Sequence, residues 1–208
     1  MGNQTSMQNI RVGDMTVSIP TEYAQLNRMP EDPPHMVAYA TQTDQADCMM
    51  FLQPIPKEQA MPFENERAVI NGIHRSLADD QGLIEVVGGT TDAKRNVIWS
   101  IVKTVSQNEG VQYGLTLHLS YEKSMLQIQA FATETGIMGM REAQVYEFAR
   151  RKGWIDEQGS GWSRDPYDDD YHTGILMNLS EDPRFDDAFP HHPLSVIRKL
   201  VLMIIGYN

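Results

Sequence analysis

Three consecutive strand-like segments, Val97 to Ser106, Val111 to Tyr121 and Met125 to Thr135, leave this chain few folds to choose from. The middle one sets Val111, Tyr113, Leu115, Leu117, Leu119 and Tyr121 on one side and Gln112, Gly114, Thr116, His118 and Ser120 on the other. Alternation with period two is what a strand buried on one face requires. The intervening Gln107-Asn108-Glu109-Gly110 and Glu122-Lys123-Ser124 are too short for a crossover, so the three must be antiparallel neighbours. Val97-Ile98-Trp99-Ser100-Ile101-Val102 is apolar on both faces, which predicts a mid-sheet strand with cover on both sides.

Further strands precede this run. Ile10 to Ile19 reads as a hairpin turning at Gly13-Asp14, and Pro20 ends it. Thr21 to His35 is polar, holds Pro30, Pro33 and Pro34, and reads as a surface loop. Val37 to Thr43 and Cys48 to Ile55 read as two strands turning through Asp44 to Asp47. The period then changes to three and four residues from Phe63 to Asp80, an amphipathic helix with Gly82 as its stop and His74 as a structural histidine near its apolar stripe. Leu83 to Val87 is a short strand turned by Gly88-Gly89, and Gly139 to Lys152 is a second helix ended by Gly153. Groups of adjacent strands with helices between them predict an α+β class: a largely antiparallel sheet covered by helices, a layered sandwich.

The chain has 208 residues, 41% of them hydrophobic and 22% charged, which suits one domain able to bury its own core. Within it, 8–153 reads as the sandwich core, 154–192 as an acidic aromatic segment and 193–206 as a carboxy-terminal helix packed on the core. A net charge of −11 argues against nucleic acid and anionic membrane partners, which need clustered bases. With no basic and apolar leader and no membrane-length apolar run, the expected location is cytoplasmic. Met1 to Ser6 fits the loose myristoylation pattern with Gly2 as acceptor, which reads as chance. Asn3-Gln4-Thr5 and Asn178-Leu179-Ser180 match the glycosylation pattern, which carries no weight without secretion.

Composition shifts after Gly153. From Trp154 to Pro193 ten acids face two bases, so this stretch carries −8 of the −11. It also holds Trp154, Trp162, Tyr167, Tyr171, Phe185 and Phe189, too many aromatics for a disordered acidic tail. An ordered, irregular meander is expected. Pro193 to Ile205 follows, a mostly apolar helix stopping at Gly206 and too short to span a bilayer.

No stretch spells out a reaction. Asp165 to His172 is the densest polar cluster, but an EF-hand register begun at Asp168 puts its glycine one place late, at Gly174, and Leu179 where the bidentate acid belongs. Zinc spacings, a GxSxG elbow and a phosphate-binding glycine loop are absent, and Cys48 lies in the apolar run Cys48 to Leu52 where a buried thiol is expected. No cofactor is implied.

The run from Ile19-Pro20 through the Phe51-Leu52 strand, the amphipathic helix and the strands Trp99 to Phe131 resembles the Mog1/PsbP-like fold group, over about Ile10 to Arg151. The resemblance implies a sandwich core and a non-enzymatic role as binding module, assembly factor or effector chaperone. It transfers no functional residue, and the chain from Trp154 onward departs from the pattern.

The leading reading is therefore a cytoplasmic, bacterial, protein-binding or accessory module. Its expected contact residues are Trp162, Tyr167, Asp168, Asp170, Tyr171 and Phe185, facing a basic or amphipathic protein partner. The alternative is a metal-assisted hydrolase using Asp168, Asp170 and His172. A third reading is a small-ligand carrier with its pocket between sheet and helix.

Overall fold

In the computed structural model, which describes residues 6–106 and 110–208, the three strands form the middle of a seven-stranded antiparallel sheet. They are β7 (Asn96–Ser106), β8 (Gly110–Ser120) and β9 (Met125–Glu134). The linker positions 107–109, the Gly2 acceptor pattern and the Asn3 pattern lie outside the described residues. Preceding strands are β1 (Met7–Val12), β2 (Met15–Pro20), β3 (Ala24–Gln25), β4 (Val37–Gln42), β5 (Ala46–Ile55) and β6 (Gln81–Thr90). The large sheet runs β3-β4-β5-β9-β8-β7-β6, while β1 and β2 form a separate hairpin turned by Gly13 at φ 62°. β3 lies in the stretch expected as loop, paired through Ala24 and Gln25 with Ala40 and Tyr39.

Alternation decides which face is core. Leu115 and Leu117 of β8 stand opposite Ala130 and Ile128 of β9, which stand opposite Met50 and Leu52 of β5, and all six are buried. The β1-β2 hairpin and α3 (Pro193–Tyr207) cover this face, α3 burying Leu194, Ile197, Leu200, Val201 and Ile204. Each such aliphatic side chain contributes about 1.5–3 kcal/mol by leaving water. On the opposite face α1 (Glu66–Ser76) sets Val69 and Ile70 against Leu83, Val86 and Ile98. Beyond α1 that face is mixed and partly open, with Gln53 and Gln127 hydrogen-bonded at 2.8 Å and Met49 and Phe131 partly exposed. β7 is thus covered on both sides, as its sequence requires.

Three boundaries differ from the sequence expectation. α1 spans Glu66–Ser76, shorter than Phe63 to Asp80, because the Asn65 side chain caps its start by accepting the Ala68 amide and Leu77 is already extended. Gly82 is not a helix stop but part of β6, which also runs through Gly88-Gly89. α3 passes Gly206 to Tyr207, and Asn208 clasps its end to β2 through Ser18, accepting from the amide at 2.7 Å and donating to the carbonyl at 3.0 Å. α2 spans Met140–Lys152, with Gly153 as its left-handed cap.

Gly82 has a steric reason to be glycine. A Cβ there would lie 1.7 Å from the carbonyl oxygen of Ile175, whose own amide donates to the Gln81 carbonyl at 2.8 Å. Backbone crosses backbone here, so nothing flexible can yield. Gly82→Ala is expected to cost at least about 2 kcal/mol in denaturant unfolding. Gly72→Ala, inside α1 with open space around its Cβ position, should stabilise by about 0.5–1 kcal/mol. Equal effects of the two would contradict the crossing.

Candidate functional site

The segment after α2 is fixed at two places, and the expected contact residues divide between them. At the first, Asp165 is buried with Oδ2 2.9 Å from His74 Nε2, while its Oδ1 accepts the Tyr167 and Asp168 amides at 2.9 and 3.0 Å. His74 is therefore a partnered structural group. The Tyr167 hydroxyl donates to the Val86 carbonyl at 3.1 Å and accepts the Val86 amide at 2.5 Å, supplying the outer edge of β6 beside its bulge at Leu83/Glu85. Burial pushes that hydroxyl's pKa up, so it remains a donor. Tyr171 stacks on His74 with ring centroids 4.0 Å apart and donates to the His74 carbonyl. Tyr167 and Tyr171 are thus committed to holding the segment on α1 and β6.

Asp168 and Asp170 lie in the exposed turn between those tyrosines, where Asp168 Oδ1 accepts the Asp170 amide at 3.0 Å. Among the described residues no group of three or more His, Cys, Asp or Glu is placed to hold a metal ion. Asp168, Asp170 and His172 therefore do not form the expected metal set: one Asp168 oxygen is turned onto its own backbone, and His172 follows a tyrosine pinned to α1. The hydrolase reading loses its site with them.

At the second place Trp162 and Phe185 converge on α2. Trp162 meets Tyr146 edge-on at 4.9 Å, and Phe185 meets Phe148 edge-on at 6.3 Å, with Trp154 against Phe148 at 5.3 Å. α2 itself packs chiefly on the single turn Leu179–Glu181. What binds it there is Arg141, whose side chain is 1% exposed. Its Nε donates to the Ser180 carbonyl at 2.7 Å, Nη1 to Ser195 Oγ at 2.8 Å, and Nη2 to Asp186 Oδ1 at 2.9 Å. Burial pulls the guanidinium pKa down and Asp186 opposes the shift, but an arginine keeps its charge. Asp186 also receives Arg198 Nη1 at 3.2 Å, while Arg198 Nε reaches Glu85 at 3.1 Å.

A second buried pair lies beside it. Lys103 Nζ is 2.8 Å from Glu181 Oε2, and the Tyr113 hydroxyl donates to Glu181 Oε1 at 2.9 Å. Burial, then the Glu181 charge, holds the Tyr113 pKa well above its ordinary value. Sequence reading passed over Arg141, Lys103, Glu181 and Asp186. A signal existed: Arg141, Val145 and Ala149 share one helical stripe at spacing four, so the arginine stands where an apolar residue is expected.

Several concavities result, and two of them bear on binding. One is an apolar groove of about 710 Å³ between α2 and the turns Pro183–Ala188, floored by Ala143, Val145, Phe148, Phe185, Ala188 and Phe189. Glu147 and Arg151 stand on its rim. The other is a polar cavity of about 210 Å³ where Lys103, Tyr113 and Glu134 meet Gly139 and His192. Cys48 belongs to neither; it is a buried residue of β5, and burial pushes its thiol up to about 11.

Fold and site together define an α+β sandwich carrying an ordered acidic aromatic platform. No protein-family model matches the chain, and no curated protein matches it significantly. Among solved structures it is similar to the Ran-binding protein Mog1p of Saccharomyces cerevisiae, with TM-score 0.45, 8% identity, and 69% of this chain and 84% of that one covered. It is also similar to a Pseudomonas aeruginosa protein of unknown function described as a putative regulator, with TM-score 0.34, 10% identity, and 71% and 92% covered. A third is the PsbP protein of the cyanobacterium Synechocystis, with TM-score 0.38, 11% identity, and 73% and 94% covered. Both named members of the expected fold group thus stand among the structures it resembles.

Two buried histidines give the fold a pH dependence. His192 Nδ1 accepts the Leu194 amide and His118 Nδ1 accepts the Met61 amide at 2.8 Å, so both are neutral. Burial lowers His192 to about 3, aided by Arg141 and Arg198, and lowers His118 to about 4. Below an unfolded value near 6.5 the unfolded chain binds protons that the folded one refuses. Stability should therefore fall as pH drops from about 6.5 toward 4, by up to about 1.4 kcal/mol per pH unit for each histidine. His192→Asn, which can still cap α3, should flatten that slope in urea unfolding; an unchanged slope would contradict the assignment.

Proposed function

We propose that this chain is a non-enzymatic, cytoplasmic protein-binding module that takes an amphipathic, basic segment of a partner protein into the groove between α2 and Pro183–Ala188. The groove itself supports this reading: an open apolar concavity of about 710 Å³, framed by Phe148, Phe185 and Phe189 on a surface otherwise rich in charge. Aromatic anchors in a desolvated groove are what concentrates binding energy at a protein interface. The spacing of one helix face, with apolar residues at three and four, fits such a groove.

Charge has a separate part. The rim carries both signs, Glu147 and Arg151, while the acid excess lies farther along, at Asp156-Glu157 and Asp168-Asp169-Asp170. It would therefore steer a basic partner toward the surface without seating it. A non-enzymatic role agrees with the fate of the reactive groups: Lys103 and Tyr113 are bound to Glu181, and the Cys48 thiol is buried with its pKa raised. A single buried thiol also suits a reducing compartment.

The test uses a labelled synthetic helix of about eighteen residues, leucine and phenylalanine on one face and lysine on the other, in an anisotropy titration. Saturable binding is expected, weakened at least tenfold by Ala188→Arg, which puts a charge on the groove floor at an exposed position. Raising salt should slow association far more than it speeds dissociation. Equal binding of the same peptide with glutamate in place of lysine, or an Ala188→Arg protein that binds as well as the original, would overturn the proposal.

A further inference from the structure

The polar cavity is not needed for the groove to work, yet it is built from buried side chains that hold polar atoms in reserve. It lies where the ends of β7, β8 and β9 meet the start of α2 and the cap of α3. We propose that it binds a small zwitterion of the α-amino acid type, its carboxylate received by Lys103 and His192 and its ammonium group by Glu134.

Glu134 is 8% exposed; its Oε1 accepts the Gly139 amide at 2.9 Å, and its Oε2 has no protein partner among the described residues. His192 is 6% exposed; its Nδ1 accepts the Leu194 amide at 3.2 Å, which fixes the proton on Nε2, and that N–H likewise has no protein acceptor among the described residues. Lys103 is 3% exposed and its ammonium uses one acceptor, Glu181, leaving two N–H groups. Buried donors and acceptors are rarely left unmade. Among the described residues the one buried side-chain atom both sealed from solvent and unpaired is Arg198 Nη2. The free atoms of Glu134 and His192 therefore open onto space, and the space that both residues line is this cavity.

Charge and size narrow the ligand. Lys103 and Glu181 neutralise one another, burial keeps Tyr113 protonated, and His192 is neutral, so the remaining charges are Glu134 and Glu142 at the rim. A simple anion would face two carboxylates, and a simple amine would leave the His192 and Lys103 donors unmet. One molecule with both groups answers all of them. The volume of about 210 Å³ equals roughly seven waters and falls below the usual range of drug-sized pockets, which excludes nucleotides, peptides and lipids. Val105, Val111 and Ile175 provide an apolar wall for a short side chain.

Calorimetric titration of the full chain with glycine, L-alanine and L-serine, and separately with propionate and ethylamine, tests this. At least one amino acid should bind saturably in the millimolar range or tighter, with propionate and ethylamine at least tenfold weaker. Glu134→Gln can still accept from Gly139 and His192→Asn can still cap α3, and each should lower affinity about ten- to hundredfold. In the unsubstituted protein the His192 Nε2 resonance should move with the same dissociation constant, a readout independent of how the variants fold. No amino acid binding at millimolar concentration, propionate or ethylamine binding as tightly, or a His192 resonance that does not respond would each overturn it.

Discussion

The buried guanidinium of Arg141 is the interaction on which the second half of this protein depends. It reaches Ser180, Asp186 and Ser195 together, and so joins α2, the turns of the acidic segment and α3. Taking an arginine out of water costs several kcal/mol, which its five donors recover only when most of them find acceptors. Here Nε, Nη1 and Nη2 all do. Asp186 is shared with Arg198, whose other arm reaches Glu85 on β6, so the same cluster extends to the sheet.

This arrangement explains how a stretch with a charge of −8 stays ordered without a helix or strand of any length. Its acids divide by task. Asp165, Glu181 and Asp186 are turned inward onto His74, Lys103 and the two arginines, while Asp168, Asp169 and Asp170 remain in water. Its aromatics divide the same way: Tyr167 and Tyr171 are spent on α1 and β6, and Phe185 and Trp162 frame α2. The sandwich supplies the rigid base, and the segment supplies the groove.

The sheet was legible because its evidence is local. Alternation in Val111 to Tyr121 names the buried face without any knowledge of partners, and short linkers name the neighbours. Gly82 misled because a glycine after a helical pattern looks like a stop, whereas its actual reason is the backbone of Ile175, 93 positions away in sequence and invisible to local reading. The acidic segment was legible as ordered but not as a division of roles. Whether Asp168 or Asp186 is the solvated one depends on Arg141 and Arg198, and nothing in the spacing of acids reports a distant guanidinium. The fork itself left one trace, a basic residue at a stripe position of α2.

Native-state hydrogen exchange tests the central claim, that the buried charge cluster makes the segment part of the same cooperative structure as the sheet. Amides bonded within the segment, such as Leu179 to the Trp162 carbonyl and Asp182 to the Leu179 carbonyl, are the reporters. They should exchange with an opening free energy within about 1–2 kcal/mol of the β8 core amides in the original protein, and far faster in Arg141→Met. Segment amides that exchange freely while β8 stays protected, in the original protein, would contradict it.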